Sequence, residues 1–332
     1  MKYSTAKWVI FSLSIFCLNS CFEEKDLVPP LEGLPGGGVL KIDVTQVQGN
    51  QLDFCVDMFA VNHFGQFIEK LGMECFVYET QGSGGITLQL GNIGEGVDDN
   101  KGPYSAMLLF DQSGSIANTD PDNARVEAGK GFVNVMGSGD EVAISVFTSE
   151  GQYTSPYEIL SAFSNNRGEL NNIVESLAGK EDGGTPLYIS IYSLLNFTKQ
   201  NSKNSNKAIV VFTDGDDTEG GVQISRLIAD AKALGIEVFT IGLGDLVDQD
   251  VLAEIALGTG GAVMLAKEVS QLVSLYKSLA DLLRGEGRFY NTCWQAKKAS
   301  GVWRSGDIYR TELMIKLPTG ETILYPITVR VP

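Results

Sequence analysis

Apolar residues alternate with polar ones at both ends of the chain. The alternation runs through residues 40–44 and 52–58 near the start and through 311–317 and 327–331 near the end. A period of two is typical of strands that bury one face. The stretch "LPTGET" between the last two runs predicts a hairpin turn that contains glycine. Both ends of the chain are therefore predicted to be β-structure.

Neither of these β segments has enough strands to close a core by itself. We therefore expect residues 39–97 and 287–332 to form one small β-sandwich. The segment between them, residues 98–286, would be inserted in this sandwich or flanked by it.

The middle of the chain has a different hydrophobic pattern, in which apolar runs of strand length show no alternation with polar residues. These runs are "AMLLF" (106–110), "EVAISVF" (141–147), "KAIVVF" (207–212) and "IEVFTIGL" (236–243). Strands buried on both faces have this pattern. Helical stretches separate them, and one ends at Gly235, a plausible C-cap. The pattern predicts an α/β fold with a doubly wound, mostly parallel, Rossmann-like sheet.

The first residues have the features of an export signal. Lys2 and Lys7 precede an apolar run that is too short to span a bilayer. The run ends in "LNSC", which resembles a bacterial lipoprotein box with Cys21 as the lipidated residue, although Asn19 departs from the usual small residue. An ordinary signal peptide is the alternative.

This interpretation divides the start of the chain into a lipoprotein signal peptide, residues 1–20, and a flexible tether, residues 21–38. The tether is rich in acids, prolines and glycines and has little to bury. Acidic residues just after Cys21 also resemble the surface-export signals of some bacterial lipoproteins. We expect a membrane-anchored protein of the cell envelope, an outer-membrane lipoprotein that is exposed at the surface.

The net charge of the chain limits the kinds of partner that it can bind. The 332 residues carry 25 basic and 41 acidic side chains, a formal charge of -16 that disfavours nucleic acid as a partner.

Beyond Cys21 three cysteines remain, so at most one bridge forms within the chain, and the sequence leaves the pairing of Cys55, Cys75 and Cys293 open. With His63 as the single histidine, these cysteines lack metal-ligand spacing.

Oxygen-bearing side chains follow or precede three of the predicted elements. Asp111, Ser113 and Ser115 follow the first buried strand, Thr185 introduces a long helix, and Asp214 follows the "AIVVF" strand. In doubly wound sheets, ligands bind beyond the carboxyl ends of the strands. Taken singly, these side chains are also ordinary turn and helix-capping residues.

Together, the "DxSxS" loop, the threonine of "GGTPL" and the aspartate of "TDG" resemble the metal-ion-dependent adhesion site (MIDAS) of von Willebrand factor type A (VWA) domains. "DEVAISVF", "IEVFTIGLG" and "LAEIALGTGG" also resemble the later elements of that family, so the resemblance runs from about residue 104 to 284. It implies a bound Mg²⁺, with Mn²⁺ or Ca²⁺ as alternatives, and a protein or matrix ligand that offers Asp or Glu.

The residue chemistry agrees with this implication. Magnesium takes six oxygens and gives up its water reluctantly. Two carboxylates balance its charge, and three hydroxyls add ligands without adding charge. The nearby acids Asp216, Asp217 and Glu219 are expected to be a solvated rim, as is the segment 94–102, where a second calcium site lacks supporting spacing.

The sequence disfavours an enzyme. His63 lies in the predicted β-region, so a nucleophile at Ser113 has no evident base, and neither a GxSxG elbow nor a phosphate loop is present. We expect a lipid-anchored binding or adhesion protein. A structural subunit of an envelope assembly, with a metal that stabilises the fold, is the alternative; an accessory of a membrane ATPase is a third.

Overall fold

A computed structural model describes residues 33–79 and 85–332 of the chain. The predicted signal peptide, Cys21 and most of the predicted tether lie outside these residues. Within the described ranges, no helix combines the length and the apolar character needed to cross a membrane.

The described residues form two β-sheets and a set of helices. The strands are β1 (Gly36–Gln48), β2 (Gln51–Val61), β3 (Phe76–Glu79), β4 (Ile86–Val97), β5 (Tyr104–Asp111), β6 (Glu141–Phe147), β7 (Tyr157–Ser164), β8 (Asn206–Thr213), β9 (Ile236–Leu243), β10 (Val263–Ala266), β11 (Arg288–Lys298), β12 (Ile308–Lys316) and β13 (Thr322–Arg330). The helices are α1 (Ile116–Thr119), α2 (Ala124–Asn134), α3 (Arg167–Glu175), α4 (Leu187–Asn201), α5 (Ile224–Leu234), α6 (Gln249–Thr259) and α7 (Gln271–Arg284).

The predicted doubly wound sheet is confirmed. Strands β10, β9, β8, β5 and β6 run parallel in that order, at the centre of a ten-stranded sheet. On β5, Met107 and Leu109 face the core that contains α4, α5 and α6, whereas Leu108 and Phe110 face the core that contains α2, α3 and α7. The apolar runs lack alternation because both faces of these strands are buried. Gly235 ends α5 with φ +66°, as expected of a C-cap.

The terminal strands differ from the predicted sandwich in one respect. The order of the large sheet is β4-β11-β2-β1-β10-β9-β8-β5-β6-β7, so four of the terminal strands continue the central sheet. The junction is antiparallel and pairs Gly38 with Met264 and Val39 with Val263. It supplies partners to backbone groups of β10 that an open edge would leave unpaired.

A three-stranded antiparallel sheet, β13-β12-β3, covers one face of this extension. Its side chains join the core that also contains α4, α5 and α6. Ring pairs link the two layers, Phe54 with Tyr309 and Tyr78 with Trp294, with centroids 6.1 and 6.0 Å apart. The two terminal segments therefore pack together around a sheet that they share with the middle of the chain.

The last residues of the predicted tether are built into the fold. Leu34 N donates to Ser270 O and Ser274 Oγ donates to Leu34 O, so the chain enters against the start of α7. Gly37 is buried in β1, where an added Cβ would lie 2.3 Å from both Phe59 O and Tyr325 Oη. Residues 33–38 are glycine-rich because the neighbouring backbone approaches closely, and they belong to the fold rather than to a tether.

We expect Gly37→Ala to lower the free energy of unfolding by about 2 kcal/mol, because the new methyl group overlaps a backbone oxygen that cannot easily move. Gly94→Ala is the matched control, since Gly94 also lies in a strand and an added Cβ there meets nothing within 4 Å. Urea denaturation of both variants measures the difference. Equal midpoints would show that β1 is not tightly enclosed.

One disulfide joins Cys55 and Cys293, which the sequence left among three possible pairings. The two residues are direct partners across the antiparallel pair β2 and β11. Among the three described cysteines, Cys75 keeps a free thiol. The bond closes a sequence separation of 238 residues, so it ties the two terminal segments together around the middle of the chain.

Candidate metal centre

Two of the predicted carboxylates lie side by side at the carboxyl edge of the central sheet. Asp111 is the last residue of β5, and Asp214 directly follows β8. These strands are parallel neighbours, with Phe110 paired to Phe212. Because the strands end at the same level, both carboxylates reach the same edge of the sheet, and both are fully buried.

Backbone hydrogen bonds fasten the Thr185 loop to the other two loops. Gly114 N donates to Gly183 O over 3.0 Å, which ties the first loop to the second. Thr218 N donates to Thr185 O over 2.9 Å, and Thr185 N donates to Thr218 Oγ1 over 2.8 Å, which ties the second loop to the third. Hydrogen bonds of the main chain therefore link all three loops, and the Thr218 hydroxyl adds a further link between the second and the third.

The hydroxyls meet between the two carboxylates. Ser113 Oγ and Ser115 Oγ are 3.1 Å apart, and Ser115 Oγ donates to Asp214 Oδ1 over 2.7 Å. On the other side, Ser113 N donates to Asp111 Oδ1 over 2.8 Å. One connected set of contacts therefore joins both carboxylates and both serines.

Thr185 closes the remaining side. A methyl group built on Gly215 would lie 3.9 Å from both Ser115 Oγ and Thr185 Oγ1, so the two hydroxyls converge on the glycine that follows Asp214. Thr185 is 4% exposed, whereas Ser115 and Gly215 are half-buried. All five predicted residues are brought together, and the site opens to solvent on the side of Ser115 and Gly215.

The alternative capping roles do not describe these side chains. Ser115 stands at the N-cap of α1 but makes no side-chain cap hydrogen bond there; its hydroxyl binds Asp214 instead. The N-cap of α4 is Pro186 rather than Thr185. Among the predicted rim acids, Asp217 departs from expectation, because its Oδ1 accepts from Tyr188 N in the first turn of α4.

Two threonines that the sequence analysis missed hold the carboxylates. Thr213 Oγ1 donates to Asp111 Oδ2 over 2.7 Å, and Thr119 Oγ1 donates to Asp214 Oδ2. The signal for each was local: Thr213 directly precedes Asp214, and Thr119 lies one helical turn after Ser115. Each carboxylate is oriented by hydroxyls from the opposite loop.

The electrostatics of the site favour a cation. Burial raises the pKa of Asp111 to about 7; the nearby charge of Asp214 adds to this effect, and hydrogen bonds from Ser113 and Thr213 oppose it. A divalent cation between the carboxylates would favour their ionised forms and offset the cost of burying them.

The donor set fits a hard divalent cation. Adjacent ligands of an octahedral ion with bonds of 2.0 to 2.1 Å are about 2.9 Å apart, close to the spacing of the two serine hydroxyls. Within residues 33–79 and 85–332, no group of three or more His, Cys, Asp or Glu side chains is placed so that it could hold a metal ion. Two carboxylates and three hydroxyls suit Mg²⁺ or Mn²⁺ better than Zn²⁺, which favours nitrogen and sulfur.

The single histidine lies away from this centre. His63 Nδ1 is 2.8 Å from Gly33 O, and its Nε2 is 2.7 Å from Glu321 Oε1 in the turn between β12 and β13. In the segment 94–102, Asp98 and Asn100 accept hydrogen bonds from the main chain of their own turn.

Solved structures with a similar fold are remote in sequence. Proximal thread matrix protein 1 from the mussel byssus, with a zinc-occupied MIDAS motif, is 17% identical over 62% of this chain and 50% of its own, with a TM-score of 0.45. A von Willebrand factor type A protein from Catenulispora acidiphila is 13% identical over 90% and 74%, with a TM-score of 0.45. The pilus adhesin SpaC from Lactobacillus rhamnosus GG is 13% identical over 89% and 48%, with a TM-score of 0.46.

The present chain spans about half the length of the mussel protein and of the pilus adhesin. No curated protein sequence gives a match. The family model of the von Willebrand factor type A domain matches residues 107–278, just over half of the chain, and this segment contains all five candidate ligands. The chain therefore belongs to the von Willebrand factor type A domain family.

Proposed function

We propose that this protein is a lipid-anchored, cell-envelope binding protein whose VWA domain captures a carboxylate of a protein or matrix ligand through Mg²⁺ in a MIDAS site. The observation that carries the proposal is the convergence of Asp111, Ser113, Ser115, Thr185 and Asp214 from three separate loops. When bound, the cation would supply an electrophilic centre for an acidic side chain of the ligand.

The access to the site supports a role in ligand binding. Both carboxylates and Ser113 are buried, whereas Ser115 and Gly215 are half-buried and form the opening. Five protein oxygens leave at least one position of a six-coordinate ion for an outside group. The open position would face solvent, where an acidic side chain of a partner can reach it.

A non-catalytic role fits the same geometry. Hydrolysis by a bound ion needs an acid or base beside its water. Ser113 contacts Asp111 and Ser115, while the chain's one histidine binds Gly33 and Glu321. For the anchor, support comes from the sequence alone, where "LNSC" with Cys21 resembles a lipoprotein box.

We expect Asp111→Asn to weaken Mg²⁺-dependent binding of acidic peptides by at least about 100-fold, because it removes a charged ligand of the ion. The probe is an immobilised peptide array that contains Asp or Glu, with matched arrays in which each is replaced by Asn or Gln. The wild-type protein should bind the acidic array when Mg²⁺ is present, and this binding should be lost when EDTA removes the ion.

Asp216→Asn is the matched control, since it makes the same change of charge at an exposed position of the same loop as Asp214. This variant should bind like the wild-type protein. Binding that persists in EDTA, or in the Asp111→Asn variant, would contradict the proposal.

The alternative is a structural subunit of an envelope assembly in which the ion mainly holds the fold. The observation that favours it is the complete burial of Asp111 and Asp214, whose repulsion a cation would relieve. In that case Mg²⁺ would raise the melting temperature, but acidic peptides would not bind at any concentration of Mg²⁺.

A further inference from the structure

Arg125 is the bulkiest fully buried side chain among the described residues, and it contacts Gln112, which lies between the candidate ligands Asp111 and Ser113. Arg125 is the second residue of α2. Its guanidinium donates to Asp120 Oδ2 over 3.0 Å and to Gln112 Oε1 over 2.8 Å, and it also forms an ion pair with Glu181.

The partners of Arg125 belong to the loops that carry the candidate ligands. Gln112 lies between Asp111 and Ser113, and Glu181 precedes Thr185 in the second loop. The same two loops also meet through the main chain, where Asp182 N donates to Gln112 O over 2.9 Å. The guanidinium therefore spans the first and second loops.

This arrangement is costly as a source of stability. Two carboxylates and one guanidinium must be removed from water, and apolar residues of similar volume often stabilise a fold equally well. Arginine offers something that apolar residues lack, a rigid planar fork that donates hydrogen bonds in fixed directions. Its value here is the geometry that it imposes on two loops at once.

We propose that Arg125 is a positioning residue for the metal centre, which sets the spacing between the serine hydroxyls of the first loop and Thr185 of the second. The inference rests on the proposed function, since it concerns the affinity of that site for its ion. Arg125 does not contact the ligand positions; it acts through Gln112 and Glu181.

The test is the affinity for Mn²⁺, measured by calorimetry and by the electron paramagnetic resonance spectrum of the bound ion, at a temperature where every variant is folded. Arg125→Lys keeps the charge but lacks the planar fork, and we expect it to weaken Mn²⁺ binding about tenfold to 100-fold and to alter the spectrum. Glu181→Gln, which keeps Arg125 paired with Asp120, should weaken binding in the same direction by a smaller factor.

Arg284→Lys is the matched control. Arg284 pairs with the buried Asp140 next to β6, at the opposite end of the strands from the candidate ligands. This variant should lose stability but bind Mn²⁺ with wild-type affinity, so a merely structural role of Arg125 is distinguished from a positioning role.

Wild-type affinity and an unchanged spectrum in both Arg125→Lys and Glu181→Gln would overturn the inference and leave the proposed function intact. Absence of Mn²⁺ binding by the wild-type protein would instead overturn the proposed function, and this inference with it. If Arg125→Lys fails to fold, Glu181→Gln decides the outcome, since its substitution leaves the Arg125–Asp120 pair in place.

Discussion

Removing the Cys55–Cys293 disulfide is expected to lower the free energy of unfolding by about 5 kcal/mol, the largest loss of stability that we predict for this chain. The bond closes a separation of 238 residues, and the chain-entropy contribution of a cross-link grows with the length of the loop. It also fixes the register of β2 against β11. Guanidinium denaturation of the Cys55→Ala/Cys293→Ala double variant measures the loss.

The free thiol provides the control for this experiment. Cys75→Ala changes a half-buried cysteine that takes no part in the bond, so it should cost much less than the double substitution. Reduction of the wild-type protein should reproduce the double variant. If reduction leaves the denaturation midpoint unchanged, the bond does not constrain the unfolded chain as we expect.

The second large effect is a gain of stability in the presence of Mg²⁺. At a concentration about 100 times the dissociation constant, an ion that binds only the folded protein raises the free energy of unfolding by about 2.7 kcal/mol. Asp111→Asn should abolish this gain, because the proposed site would lose one of its two carboxylates. Thermal unfolding across a Mg²⁺ titration measures the effect in both proteins.

Asp216→Asn should retain the full Mg²⁺-dependent gain of stability. This substitution makes the same change of charge near the site, but at an exposed side chain. An equal shift in the Asp111→Asn variant would place the responsible ion elsewhere on this acidic chain. A titration with monovalent salt at the same ionic strength is the control for general screening of the net negative charge.

The central sheet was predictable because its signal is local. Strands such as β5 and β8 are buried on both faces, and this burial appears directly as unbroken apolar runs. The convergence of the five candidate ligands was predictable for a related reason: each lies within a few residues of the end of a strand or the start of a helix, and the edge of a parallel sheet gathers such positions.

What the sequence did not predict depends on pairing between distant segments. The junction of β1 with β10 and the partner of Cys55 are set by register, which alternation alone does not encode. Residues 33–38 have the composition of a linker, yet their glycines serve close backbone approach. The role of Arg125 has no local signal in the sequence, because its partners are provided by separate loops.

The junction of β1 with β10 also bears on how the protein can be dissected. A fragment cut at the family limits, residues 107 and 278, would sever β5 and α7 and remove β1, one of the two partner strands of β10. The exposed edge of β10 would offer unpaired backbone groups to a second molecule of the fragment, and such edges promote aggregation. The half of this molecule that matches the family is thus not a detachable module, because strands from its two flanks continue its sheet beyond β10.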